Sequence, residues 1–277
     1  MTAGFNMHPR WAFGQALPGF LEPLQAAGLR ALEFKLDAHK PDWQRFPPLM
    51  ADCQRLGLNL CFHAPHQAPY TITGFARERR EPIQALYAPM LDIAARFAPA
   101  TVVVHGAKGA EGCALEPLRA DTVAFLEWVL GRYPGLTLAL ENLVPVPGRP
   151  RVGPVHAELL QIVAQLDDRR LGVCWDMGHD ARIGHVDEPG VAWLRTVVHA
   201  HVHDIDENGM DHCPLLHGRV PYRAWLPALA RSGFRGTATL EIDGERLAHL
   251  AHEQVKRVLT GSIAEIARLL TPSGGPT

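Results

Sequence analysis

Apolar, β-branched segments of this chain end repeatedly in a side chain that could bind a metal ion. Six consecutive segments end at or just before a histidine, an aspartate or a glutamate, namely His63, His105, Glu141, Asp176, His201 and Glu241. An ionisable group at the end of a buried strand is costly unless a partner neutralises its charge. A divalent cation is the simplest partner that imidazoles and carboxylates can share, so the pattern predicts a metal site.

The stretches between these segments carry helical periodicity. In the stretch that begins at Tyr222, apolar residues recur at positions i, i+3, i+4 and i+7. The six apolar segments predict strands at residues 58–62, 101–104, 136–140, 171–175, 196–199 and 237–240. Two further strands are predicted at residues 4–7 and 30–36, which gives eight strand–helix units. Strands buried on both faces and followed by helices indicate a parallel sheet, and eight such units close a barrel. We therefore predict an α/β fold, a (β/α)8 TIM barrel, with the active site at the carboxyl ends of its strands.

Length and composition favour one domain. The chain has 277 residues, of which 47% are hydrophobic, and its composition does not change abruptly. Barrels of this type commonly run to about 250 residues. We expect a single domain over residues 1–277, a final helix from about residue 245 to 270, and a frayed tail at 272–277 because that tail is rich in glycine and proline.

Charge and cysteine content restrict the partners. The net charge of −2 gives no global attraction to nucleic acid or to an anionic membrane. The five cysteines lack CxxC spacing and make a poor disulfide framework, and no apolar run reaches the about 18 residues that span a bilayer. We expect a cytoplasmic protein with a small-molecule substrate, without a membrane or nucleic-acid partner; a homo-oligomer is compatible with the sequence.

Seven short motifs accompany the strand ends. They are FHAPH at 62–66, VVVHG at 102–106, LENL at 140–143, DMGH at 176–179, HVHD at 201–204, HCPLLHG at 212–218 and LEI at 240–242. Together they resemble the xylose-isomerase-like barrel superfamily, which includes endonuclease IV (AP endonuclease family 2) and many sugar isomerases and epimerases. The resemblance extends over about residues 4–243. It is specific for the superfamily and not for one reaction.

The resemblance implies the metal site of the epimerase branch. Glu141, Asp176, His201 and Glu241 match its four ligands, which bind Mn²⁺, Mg²⁺ or Co²⁺ in many members. One ion there would polarise a substrate carbonyl and stabilise the developing negative charge. We expect Glu141 and Glu241, on opposite sides of the ring of ligands, to be the catalytic groups that remove and return a proton.

The resemblance to endonuclease IV implies a larger site of two or three Zn²⁺ ions. His63 and His105 match positions that hold an additional zinc ion, with Glu141 as the bridging carboxylate, and His179 and His212 match ligands of the third. The cofactor is thus a divalent metal, with one to three ions.

Two departures from the endonuclease IV pattern favour the isomerase class. Met210 stands where the third site has an aspartate, which leaves Asp211 displaced by one position, and His66 replaces a tyrosine. We therefore favour a metal-dependent isomerase or epimerase of a sugar, polyol or keto compound. The alternative is a zinc-dependent phosphoester hydrolase, and a non-catalytic binding protein is disfavoured by the intact ligand set.

Further residues near the strand ends are expected to contact the substrate. They are Trp11, His66, Lys108, Asn142 and Arg182. Lys108 lies in a glycine-containing stretch, residues 106–109, and could act as the counter-charge of a phosphate. Asp204, which follows His203, is expected to orient a ligand imidazole. Asn142, next to Glu141, could play a similar supporting role instead of contacting the substrate.

Overall fold

The strands form a closed parallel barrel in the computed structural model of the chain, which describes residues 1–8, 17–37, 40 and 43–271. They pair in sequence order, and the first pairs with the eighth. The predicted (β/α)8 barrel is therefore confirmed. The strands are β1 Thr2–Asn6, β2 Leu29–Lys35, β3 Asn59–His63, β4 Ala100–Val104, β5 Leu136–Glu141, β6 Leu171–Asp176, β7 Val197–Val202 and β8 Thr237–Leu240.

The segments between the strands are mainly helical. The final helix begins at His252, later than predicted, because Ala251 is extended (ψ 153°) and its N–H donates to the Gln254 side chain. A separate 3₁₀ turn covers Gly244–Leu247. The described helices are α1 Leu17–Ala26, α2 Phe46–Arg55, α3 Arg80–Arg96, α4 Leu115–Arg132, α5 His156–Leu166, α6 Met177–Arg182, α7 Val191–Thr196, α8 Tyr222–Arg231 and α9 His252–Leu270.

The two faces of the barrel wall differ in chemistry. Outward side chains such as Phe34 and Phe62 are fully buried against the helices, where each large apolar side chain contributes about 1.5 to 3 kcal/mol. The interior instead contains polar groups under the carboxyl-terminal rim. There the Glu33 carboxylate and the Thr239 hydroxyl both lie within hydrogen-bond distance of His199 Nε2. This polar interior supports the side chains at the rim above it.

The cysteines are free, and Cys61 and Cys174 are buried in the barrel as small core residues. Burial raises the pKa of the Cys61 thiol to about 12. Among the described residues, no helix combines the length and the apolar character needed to cross a bilayer.

Candidate metal centre

Strand alternation brings the predicted ligands to one rim. Successive side chains of a strand point to opposite faces, so a residue two positions after an interior side chain also points inward. Ala139 and Cys174 pack inside the barrel, and Glu141 and Asp176 follow them by two positions. The same spacing carries the other strand-end residues inward, and long loops after β3, β4, β5 and β7 surround them.

Glu141, Asp176, His201 and Glu241 each bring one ligand atom to within 4.8 Å of the others. His201 Nδ1 lies 3.0 Å from Glu241 Oε2, 3.7 Å from Glu141 Oε1 and 3.9 Å from Asp176 Oδ2. Ligands held about 2.1 Å from one ion lie about 3.0 to 3.4 Å apart in octahedral or tetrahedral geometry. The four atoms therefore need only small shifts to share one cation.

Three atoms of this cluster are buried and make no well-oriented hydrogen bond, although polar atoms of neighbouring ligands lie about 3 Å away. They are Glu141 Oε2, His201 Nδ1 and Glu241 Oε2. Buried polar atoms normally have a partner, and an orphaned one is costly. A divalent cation would supply that partner, so the residues present fit a metal ion.

Glu33 holds the His201 ring in place. Both oxygens of its carboxylate are 3.2 Å from His201 Nε2, and one is 2.7 Å from His199 Nε2. Burial alone would raise the pKa of Glu33, but His201 and His199 lower it below its usual range. An ionised Glu33 accepts the Nε2–H of His201 and leaves Nδ1 as the metal-binding atom. Sequence reasoning missed Glu33, whose signal was an acid inside the apolar strand β2.

His203, which sequence reasoning also missed, holds Asp176. Its Nδ1 accepts from the His212 backbone N–H at 3.0 Å, so its Nε2–H donates to Asp176 Oδ1 at 3.0 Å. A Cβ at Gly178 would lie 1.9 Å from His203 Cε1, so only glycine makes room for the ring. The available signal was the alternation of histidines in β7, which directs residues 199, 201 and 203 to one face.

The prediction that the Asp204 side chain orients an imidazole is wrong. Its carboxylate is fully buried and accepts hydrogen bonds from the backbone N–H groups of residues 217–220 at 2.5 to 3.2 Å. A short aspartate satisfies such a turn easily because several N–H groups converge on one carboxylate. Asp204 therefore fixes the loop after β7.

His63 and His105 face the other oxygen of Glu141. Their Nε2 atoms lie 3.3 Å and 2.9 Å from Glu141 Oε2. His63 Nδ1–H donates to the Ala64 carbonyl at 2.8 Å, which leaves its Nε2 lone pair available. Burial lowers the pKa of His105 to about 4 despite the nearby Glu141 carboxylate, so this ring is neutral at pH 7. The two rings and Glu141 Oε2 form a second place where a cation could bind.

A third cluster of possible metal ligands forms around Asp176. His179 Nδ1–H donates to the Asn142 carbonyl at 2.9 Å, which leaves its Nε2 free. His212 Nε2 lies 3.4 Å from Glu241 Oε2. These two rings, together with Asp176 and His203, form a group with metal-ligand spacing. Both nitrogens of His203 already have partners, so Asp176, His179 and His212 are the members with atoms available to an ion.

The aspartate displaced by Met210 does not join this cluster. The Asp211 carboxylate pairs with Arg182 and lies 3.2 Å from His212 Nδ1. Burial alone would lower the pKa of His212, but Glu241 and Asp211 raise it to about 11. Met210 itself is exposed. Asp211 therefore does not take the place of the missing aspartate ligand.

The family follows from a comparison with known proteins. A family model described as xylose isomerase-like TIM barrel matches residues 21–261. The chain belongs to this family. The motifs at the strand ends predict the same membership, which is therefore confirmed.

Relatives of this family member include sugar epimerases. A D-tagatose 3-epimerase-like protein is 20% identical, with a TM-score of 0.69 over 94% of this chain and 97% of that chain. D-psicose 3-epimerase from Clostridium cellulolyticum H10 is 14% identical, with a TM-score of 0.71 over 98% and 99%. An IOLI protein with a bound zinc atom is 16% identical, with a TM-score of 0.69 over 98% and 99%.

A further relative, an uncharacterized protein of Methanocaldococcus jannaschii, is 28% identical over 129 residues. That match spans 45% of this chain and 43% of the relative. The chain therefore covers less than half the length of this relative.

Two rim cavities in this xylose isomerase-like barrel border the metal centre. His66, Lys108 and Arg182 line the larger one, of about 620 Å³. His66 also borders the second, of about 580 Å³, together with Glu241. The His66 ring stacks on His105 with centroids 3.9 Å apart, and its pKa is lowered chiefly by burial. These three predicted substrate contacts therefore face space that a substrate could enter.

The other two predicted substrate contacts differ. Asn142 is buried, and its amide donates to the Asp176 carbonyl at 2.9 Å and to Asp180 Oδ1 at 3.0 Å. Its Oδ1 accepts the Asp176 N–H at 2.6 Å. These bonds occupy the amide, so Asn142 positions the Asp176 backbone instead of binding substrate. Trp11 lies outside the described residues.

Proposed function

We propose that this chain is a divalent-metal-dependent isomerase or epimerase of a sugar or a related polyol or keto compound. The observation that carries the proposal is the convergence of Glu141, Asp176, His201 and Glu241 with three orphaned ligand atoms. The similar structures named as a D-tagatose 3-epimerase-like protein, D-psicose 3-epimerase and L-ribulose 3-epimerase support the same class of substrate. Zn²⁺, Mn²⁺, Mg²⁺ and Co²⁺ all suit this set of nitrogen and oxygen ligands.

The two glutamates are suited to proton transfer. They end β5 and follow β8, so they approach the centre of the rim from different sides. Burial raises the pKa of both, but His105 near Glu141 and the His201–His212 pair near Glu241 hold the pKa values well below the usual range. Each carboxylate is thus ionised and able to accept a proton at neutral pH. When bound, the metal would polarise the substrate carbonyl and stabilise negative charge.

One observation favours a second candidate, a zinc-dependent phosphoester hydrolase. His63 and His105 both direct Nε2 at Glu141 Oε2, an arrangement that a second ion could share with the first. Paired ions about 3.5 to 4 Å apart are typical of phosphoester hydrolases. In the proposed isomerase, both imidazoles would instead bind oxygen atoms of the substrate.

Metal content and turnover of His105→Ala separate the two candidates. The protein is purified without added metal, its metal content is measured, and a panel of ketoses and a generic phosphodiester are assayed. We expect an unchanged metal count and a raised KM for the preferred ketose. His249→Ala, an exposed histidine away from the cluster, is the matched control. Loss of one metal equivalent together with loss of diester cleavage would establish the hydrolase instead.

A further inference from the structure

Four cationic side chains border the larger rim cavity, among mostly apolar lining residues. Lys108, Arg149, Arg151 and Arg182 line it, whereas Asp211 is the one acid among its lining residues. Arg182 pairs with Asp211, so three cations remain. His105 and His179 also line this cavity and connect it to the metal centre.

The loops that carry these cations hold each other in place. Lys108 and Arg151 pair as an antiparallel bridge between the loops after β4 and β5. Gly109 N–H donates to the Pro150 carbonyl at 2.8 Å, and Val152 N–H donates to the Ala107 carbonyl at 2.9 Å. The cations therefore stand on a hydrogen-bonded ribbon with a defined geometry.

A close approach between the same loops depends on glycine. A Cβ at Gly106 would lie 2.6 Å from Val152 Cβ and 2.7 Å from the Val152 carbonyl oxygen. Backbone atoms cannot yield as a flexible side chain can, so the two loops could not pack this tightly with a larger residue. The sequence thus favours this particular placement of the ribbon.

The three remaining cations have no carboxylate within ion-pair distance among the described residues. Lys108 Nζ donates to the His66 carbonyl at 2.7 Å, and Arg151 Nη1 donates to the Val144 carbonyl at 3.3 Å. Arg151 Nε is buried without a partner. Arg149 is exposed at the mouth of the cavity.

The positive charges of the ribbon are unfavourable without an anion. Burial lowers the pKa of Arg151 although Glu141 opposes the shift, and burial and Arg151 together lower the pKa of Lys108. Partly buried positive charge without a counter-ion is unfavourable. An anion in the cavity would relieve it.

We propose that this ribbon binds an oxyanion group of the substrate, a carboxylate or a phosphate, while the carbonyl end of the substrate lies at the metal centre. The substrate class becomes an acidic sugar or a sugar phosphate rather than a neutral ketose. This inference rests on the proposed isomerase or epimerase function. Arginine binds both oxyanions through paired N–H donors, and Lys108 adds a point charge.

Anion binding to the purified protein tests the proposal without turnover. The Kd values for inorganic phosphate and for glycolate are measured by calorimetry at constant ionic strength for wild type, Arg151→Gln and Arg149→Gln. We expect saturable binding of one anion, weakened about tenfold or more by either substitution. The anion that binds more tightly identifies phosphate or carboxylate as the group. Arg257→Gln, an exposed arginine of α9, removes the same charge elsewhere and should leave the Kd unchanged.

Either of two results in the binding experiment would overturn the proposal. One is an absence of saturable binding of both anions, and the other is a Kd that neither arginine variant alters, which would place the anion elsewhere. Because Arg149 is exposed, its variant gives an answer even if Arg151→Gln does not fold. Turnover assays separate the two levels of inference: epimerisation of neutral ketoses alone would contradict the oxyanion site and leave the proposed function intact. Arginine-dependent anion binding without any isomerisation would contradict the proposed function and leave the oxyanion site intact.

Discussion

At the scale of single residues, the buried side chains of His203 and Glu33 determine which lone pairs of the candidate ligands are available to a metal ion. His203 donates to Asp176 Oδ1, which also accepts the His179 N–H at 2.7 Å, so Oδ2 is the oxygen left for an ion. Glu33 accepts from His201 Nε2, so Nδ1 is left in the same way. Neither group lies among the four converging ligands, yet each fixes the orientation of one of them.

His203→Asn should weaken metal binding without unfolding the protein. Loss of such a supporting hydrogen bond lowers metal affinity about 10- to 100-fold, because Asp176 is then free to turn away. Competition with a chromophoric chelator measures the affinity. His249→Asn changes an exposed histidine and should match wild type. Equal affinities of wild type and His203→Asn would show that Asp176 needs no such support.

Glu241→Gln should keep the fold and lose most activity. The change is nearly isosteric, but it removes a negative ligand and a proton acceptor, so turnover should fall about 100-fold or more. The rate is measured with saturating metal, beside Glu245→Gln, which alters an exposed glutamate in the adjacent 3₁₀ turn. Turnover near that of wild type would remove Glu241 from the proposed mechanism.

The sequence indicated which residue types end the strands, but not what holds them. His63, Glu141 and Glu241 could be predicted because each stands at the end of an apolar segment. Glu33 and His203 could not be assigned because their roles depend on contacts across the barrel, with His201 on β7 and Asp176 on β6. Asp204 was misassigned for the same reason, since its partners lie on a loop 13 to 16 residues away.

At the scale of elements, the loop after β7 places His212 beside the metal centre. His212 has a left-handed backbone conformation (φ 55°), which is uncommon for a side chain other than glycine or asparagine. The loop is held at one end by the Asp204–Cys213 bridge and at the other by the Asp204 carboxylate. One aspartate thus anchors the loop at Cys213, directly after His212, and again at residues 217–220.

Asp204→Asn should loosen this loop. An amide oxygen replaces a charged acceptor of several N–H groups, and the free energy of unfolding should fall by about 2 kcal/mol. Hydrogen exchange of the amides at residues 217–220 should become faster than in wild type. Asp187→Asn, at an exposed position, serves as the control. Unchanged protection of those amides would mean that the loop is held by other contacts.

The elements themselves were largely predictable from the sequence. Each strand is a short apolar run, and the predicted and observed β8 coincide at Thr237–Leu240. The prediction was poorest for β7, expected over residues 196–199 and observed at Val197–Val202. Its alternating histidines resemble a strand that has already ended, but His199 and His201 are buried around Glu33 and the segment pairs with both β6 and β8.

At the scale of the whole molecule, the proposed metal ion would connect the ends of four consecutive strands. Its four predicted ligands come from the ends of β5 to β8, and supporting contacts reach across to β2. A ligand that binds only the folded protein adds RT ln(1 + [L]/Kd) to its stability. The metal centre is therefore expected to contribute to stability as well as to catalysis.

Metal removal should lower the stability of wild type more than that of a variant that lacks one metal ligand. With free metal at 1,000 times its Kd, chelation should reduce the free energy of unfolding by about 4 kcal/mol. Urea unfolding with and without a chelator measures the difference. Glu241→Gln, which lacks one ligand, should respond less. An identical urea midpoint for wild type in both conditions would contradict a metal bound by the folded chain.

The single domain over residues 1–277, the cytoplasmic location and a homo-oligomer stay predictions. The predicted tail at 272–277 lies outside the described residues. The barrel itself does not depend on these points, because the eight strands close within residues 2–240.

Solvent exchange of a substrate proton tests the central claim most directly. Metal-replete wild type is incubated in D2O with neutral ketoses, ketose phosphates and sugar keto acids, and the C–H next to each carbonyl is followed by proton NMR. The account predicts that deuterium enters at least one compound, that chelation abolishes this exchange, and that Glu241→Gln slows it about 100-fold or more. No exchange in any compound, with metal-dependent cleavage of a phosphodiester by the same preparation, would contradict it.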